Sequence, residues 1–164
     1  MKHPVGQTRN GVYVYVNLIG SRAAMHIARQ PQLLTLAKEM LAETMVRGAE
    51  INLERDMKRP IGYNFIVTTT DQDTVFYGRL LRDDIYTRFV KNRKPLSTQY
   101  LTVALLQDSN NAYELSDVWI GRLIPPRPGS ANETTESKSY WSNHAFVLDN
   151  QLLQQRTVTR TCPY

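Results

Sequence analysis

The sequence predicts an α+β fold, in which an N-terminal strand and two helices pack on a curved antiparallel β-sheet of about 4–6 strands. Three observations predict it. Residues 11–18 alternate Val12, Val14 and Val16 with Tyr13, Tyr15 and Asn17, the period of two that gives a strand one buried face. Two segments with helical spacing follow. From Gly62 onward the pattern changes to short runs rich in β-branched and aromatic residues, separated by polar turn clusters.

Gly20 and Ser21 offer a helix start, with Ser21 as N-cap, and residues 22–29 make a short helix that stops before Pro31. A second helix is expected over residues 31–47. Pro31 is tolerated in its first turn, and Gly48 sits where glycine is favoured after a helix end. Leu33, Leu34, Ala37, Met40, Leu41 and Thr44 recur at three- and four-residue steps and form its sheet-facing stripe. The candidate strands are 63–69, 74–80, 85–91, 99–107 and 112–123, with neighbours paired as antiparallel hairpins. Asp71, Gln72 and Asp73, and then 108–111, supply turns, because Asp and Asn bond their own backbone and tolerate turn geometry. Three prolines between 125 and 128 cannot continue a central strand. A single domain is therefore expected over 1–129. Residues 130–164 are expected as a polar loop, an edge strand over 144–148 and a tail.

Composition narrows the function classes. The 164 residues include 41% apolar ones, enough for a shared core, and there is neither a signal-peptide pattern nor the run of about 18 apolar residues that a membrane span needs. A cytoplasmic protein without a membrane partner is the expectation. The one cysteine, Cys162, permits no internal disulfide and no thiolate metal cluster. His3, His26 and His144 lie far apart, the paired Asp83 and Asp84 suit a turn, and no metal site is expected. The eight glycines form no phosphate loop, dinucleotide fingerprint or nucleophile elbow, so no cofactor is expected either.

The net charge of +5 is concentrated. Arg79, Arg82, Arg88, Lys91, Arg93 and Lys94 face only Asp83 and Asp84 across residues 79–94, which places four of the five net charges in that stretch. Such a patch fits RNA or another polyanion. Strand alternation sends Arg88 and Lys91 to opposite faces, so only some of these cations share a surface. Tyr77, Tyr86, Phe89, Tyr100 and Tyr113 interleave with the patch, and one or two of them left accessible would stack unpaired bases while cations hold phosphates. His26 lies on the first helix with Arg29 at i+3 and Gln30 at i+4, where an imidazole near neutral pKa could move protons in phosphodiester chemistry.

This order of features resembles the metal-independent ribonuclease fold group of barnase, EndoU, the colicin RNases and the RelE-type toxins. The residues carrying the likeness are 25–31 around His26, then 77–79, 86–90, 100–104 and 113–119, within a span of 12–125. Gln30 stands where a second histidine or an acid is common in that group. The resemblance implies RNA cleavage in which the ribose 2′-oxygen attacks phosphorus. It makes His26 the acid or base, Arg82 and Arg88 the phosphate clamps, and Tyr86 or Thr102 the positioning group. Arg79, Lys91, Arg93, Lys94 and Tyr100 then bind the nucleic acid. Two other readings stand beside it: a non-catalytic nucleic-acid or protein-binding module using the basic hairpin, and an interaction protein docking through Trp119, Trp141 and the proline-rich loop. One chain leaves open a homodimer and a cognate inhibitor.

Overall fold

Ser21 starts the first helix as its residue type predicts: its Oγ accepts from the Ala24 amide at 3.0 Å and donates to the Asn17 carbonyl at 2.6 Å. That one hydroxyl ties the end of a strand to the beginning of a helix. In a computed structural model describing residues 1–80, 84–148 and 156–164, the elements run β1 (Lys2–Gln7), β2 (Tyr13–Asn17), α1 (Arg22–Arg29), α2 (Gln32–Ala42) and β3 (Glu50–Asp56). They continue β4 (Gly62–Asn64), β5 (Ile66–Thr68), β6 (Val75–Leu80), β7 (Tyr86–Val90), β8 (Leu96–Thr98), β9 (Tyr100–Gln107), β10 (Tyr113–Ile120), α3 (Ser137–Asn143), β11 (His144–Val147) and β12 (Arg156–Thr159). The chain is α+β, and no described helix is long and apolar enough to cross a membrane.

Two compact units interleave along the sequence, one built from residues 1–62 and 97–123, the other from 63–96 and 124–164. The expected single sheet is instead a five-stranded sheet in each unit. In the first unit the strand order is β1-β2-β10-β9-β3, antiparallel except where β10 runs parallel to β2. Leu33, Leu36, Ala37, Met40 and Leu41 of α2 bury against Val14 and Val16 of β2, Leu101, Val103 and Leu105 of β9, and Leu115 and Val118 of β10. Leu36 takes the place in the stripe expected for Leu34, which is only partly buried. The helix also ends at Ala42 instead of 47, because the Thr44 hydroxyl donates to the Met40 carbonyl at 2.7 Å and closes the last turn.

Two strands precede these helices and a third follows them, where one N-terminal strand was expected. β1 contains Pro4 and Gly6, which argue against a central strand. It is tolerated because it lies at the sheet edge and shifts register between those two residues. β3 alternates Glu50, Asn52, Glu54 and Asp56 with Ile51 and Leu53, and it pairs along its whole length with β9.

In the second unit the order is β12-β6-β7-β11-β5, with β11 parallel to β7. The strand expected over 63–69 divides into β4 and β5, since the Asn64 side chain accepts the Ile66 amide and turns the chain. Segment 130–164, expected as an appendage, supplies α3, β11 and β12. Phe76, Phe89, Phe146 and Trp141 form a ring ladder with centroid steps of 5.7, 6.3 and 5.6 Å. Trp141 is buried in that ladder, with its Nε1 donating to the Pro125 carbonyl, so it offers no docking surface.

Burial of β9 predicts a contrast between adjacent leucines. Leu105→Ala should cost about 2–5 kcal/mol, whereas the half-exposed Leu106→Ala should change stability by about 0.5 kcal/mol or less, as read from urea denaturation midpoints.

Candidate functional site at the α1–β10 junction

The site begins with an irregularity in β10. Its ladder with β2 contains only Tyr113 and Glu114, and its register with β9 shifts between Leu115 and Asp117, leaving Ser116 as an extra residue. A bulge of this kind bends the strand and re-aims its side chains. Beyond Glu114, the side of β10 that β2 has left is met by α1.

His26 makes that contact. Its Nδ1 lies 2.9 Å from Asp117 Oδ1 and 2.9 Å from the Val118 carbonyl oxygen, and both are acceptors for a single Nδ1–H. Asp117 Oδ1 is itself held, because it accepts the Val118 amide at 2.9 Å. This arrangement fixes the tautomer: the proton sits on Nδ1, and Nε2 of the neutral ring carries the free lone pair. Among the described residues Nε2 has no hydrogen-bond partner. The Asp117 carboxylate raises the His26 pKa above 6.5, partly opposed by desolvation and by the charge of Arg29, while the Val118 carbonyl adds to the rise.

Helical spacing sets two guanidinium groups on the same stripe. Arg22 precedes His26 by four residues and Arg29 follows by three, which places their Cβ atoms about 5–6 Å from that of His26. Both arginines are exposed, and among the described residues neither makes an ion pair or a side-chain hydrogen bond. Gln30, the other polar neighbour expected here, is the C-cap, its amide donating to the His26 carbonyl at 2.9 Å. An oriented imidazole between two unpaired cations can pass a proton and neutralise charge on a phosphate. Arg22 was legible as an i−4 neighbour of His26. Asp117 was not, because only the bulge brings it there.

The other expected site residues divide between the units. Tyr77 opposes Arg88 and Arg79 opposes Tyr86 across β6 and β7, so Arg79, Tyr86 and Arg88 share one face, and Lys91 stands on the other with its Nζ 5.8 Å from the Phe76 ring centre. Arg79 pairs with Asp84 at 3.1 Å and lies over the Tyr86 ring at 5.9 Å. Arg88 is buried, donating from Nη1 to Thr69 Oγ1 at 2.6 Å and to the His144 carbonyl at 3.2 Å. Arg93 binds Asp73 at 3.1 Å and the Thr68 carbonyl at 3.3 Å. Lys94 is exposed, and Arg82 lies outside the described residues. The charge run is thus largely spent inside its own unit.

In the first unit, Thr102 is fully buried with its hydroxyl donating to the Gly121 carbonyl, and Tyr100 lies under the Arg122 guanidinium at 4.3 Å. Of the interleaved aromatics, Tyr77, Phe89 and Tyr113 are buried, and Tyr86 and Tyr100 are half-buried. Trp119 is half-buried with its Nε1 on the Arg122 carbonyl. Among the described residues, no group of three or more His, Cys, Asp or Glu side chains could hold a metal ion. No family model, curated protein or solved structure matches this chain.

The raised pKa of His26 has a thermodynamic consequence. A group whose folded pKa exceeds its unfolded value stabilises the fold fully below the unfolded value, near 6.5, and that stabilisation is lost as pH rises through the folded value. Urea midpoints of the wild type should therefore carry a fall with rising pH across that window, and Asp117→Asn should flatten it. An unchanged profile in the variant would show that Asp117 does not act on His26.

Proposed function

We propose that the chain binds RNA and cleaves it without a metal, with the Arg22, His26 and Arg29 stripe of α1 as the reacting surface. The carrying observation is the double anchorage of His26 Nδ1 by Asp117 and Val118, which leaves Nε2 directed away from its anchors on a helix stripe that also carries the exposed Arg22 and Arg29.

In this reading neutral Nε2 takes the proton from a ribose 2′-hydroxyl as the 2′-oxygen attacks the adjacent phosphorus. The bond from phosphorus to the 5′-oxygen breaks, and the imidazolium returns that proton to the departing oxygen. The products are a 2′,3′-cyclic phosphate and a 5′-hydroxyl, and the imidazole ends as it began. Asp117 stabilises the imidazolium between the two transfers. Arg22 and Arg29 offset the charge that builds on the non-bridging oxygens, a task suited to a planar fork of donors.

The test is incubation of the purified protein with total RNA in chelator. Cleavage should fall about 10²–10⁴-fold in His26→Ala, and about 100-fold or more on losing a phosphate donor in Arg22→Gln or Arg29→Gln. Asp117→Asn should shift the acid limb of the rate profile to lower pH, since the base then loses the carboxylate that holds its proton. Absence of cleavage together with steeply salt-dependent binding would replace this reading with a non-catalytic RNA-binding module.

A further inference from the structure

The described residues of the second unit place no carboxylate against one of its buried charges. Arg88 is 8% exposed, and among the described residues no carboxylate pairs with it. Nη1 is satisfied by Thr69 and the His144 carbonyl, but among the described residues the buried Nε has no hydrogen-bond partner. Arg79, two residues along the same face from Tyr77, also has a buried Nε without a partner, although its Nη1 reaches Asp84. Native structures rarely leave two such donors orphaned, and a buried guanidinium without an anion is costly.

The same face carries a cover. The Tyr164 ring meets the Tyr77 ring edge-on at 5.9 Å, and its hydroxyl donates to the Trp141 carbonyl at 3.3 Å. Cys162 donates to the Tyr164 carbonyl at 3.0 Å, and residues 160–163 are otherwise exposed. Among the described contacts, Tyr164 and the Cys162 thiol against Tyr77 hold this segment in place. Burial pushes the Tyr77 phenol up from its ordinary pKa, with the Cys162 thiol adding to the rise and the Arg88 guanidinium, hydrogen-bonded to the phenol, opposing it.

We infer that the β6–β7 face around Arg79, Arg88 and Tyr77 is a binding site for a small oxyanion such as phosphate, closed by residues 160–164 as a displaceable strap. The two Nε–H donors supply hydrogen bonds, and Arg88 supplies a desolvated charge that a tetrahedral oxyanion would neutralise. Entry requires Tyr164 to leave Tyr77. The measured affinity is then the intrinsic one reduced by the fraction of molecules with the strap open. This site lies in the second unit and does not depend on the cleavage chemistry assigned to α1.

The experiment is NMR of the Nε–H groups of Arg79 and Arg88 in the full chain, titrated with inorganic phosphate against chloride at equal ionic strength. Saturable shifts of both signals are expected with phosphate and not with chloride. Tyr164→Ala should tighten the apparent affinity about 10-fold, the gain expected if the strap is open about a tenth of the time. Arg88→Lys, which keeps the charge and removes Nε, should abolish the response at Arg79; if that variant does not fold, Arg79→Lys is read at Arg88 in the same way. No saturable shift in either wild type or Tyr164→Ala up to about 10 mM phosphate would overturn the site. Equal affinities in the two would overturn the strap.

Discussion

One shared proton joins α1 to β10 and orients the imidazole: the Nδ1–H of His26, lying between the Asp117 carboxylate and the Val118 carbonyl. That contact joins a short helix to the strand where β2 no longer accompanies β10, and it also fixes which ring nitrogen is free. Structural and chemical consequences arise from the same atoms. A helix of eight residues has little intrinsic stability, so its position rests on such contacts, on the Ser21 cap, and on the buried Ala23.

Much of this was legible from residue types. Ser21 as N-cap, α1 over 22–29, the valine face of β2, and the hairpins β6–β7 and β9–β10 all follow from local chemistry whose range is a few residues. What escaped was non-local. β1 carries Pro4 and Gly6, signals that exclude a central strand but not an edge. The proline run after residue 124 marks one boundary between the interleaved units, but the other two fall inside the short strands β4 and β8, where no linker composition shows. Asp117 gained its role from a single extra residue, Ser116, which a period-two reading of β10 cannot reveal.

The basic run over 79–94 teaches a complementary lesson. Counting charges identified it, yet Arg79 and Arg93 are paired with Asp84 and Asp73, acids five and twenty residues away that the sequence showed only as turn formers. Arg88 went inside, where it braces Thr69 and the β11 backbone. Arg22 and Arg29, in a weakly charged stretch, are among the described cations that make no ion pair. Charge density along a chain measures composition, whereas a site requires charge left uncompensated in space.

The most direct measurement is the imidazole ¹⁵N spectrum of His26 followed through a pH titration. The account predicts that the neutral ring carries its proton on Nδ1, with a pKa above 6.5 that falls in Asp117→Asn. A neutral ring protonated on Nε2, or a pKa at or below 6.5 in the wild type, would contradict it, because the nitrogen needed to accept the ribose proton would then be occupied or unsupported.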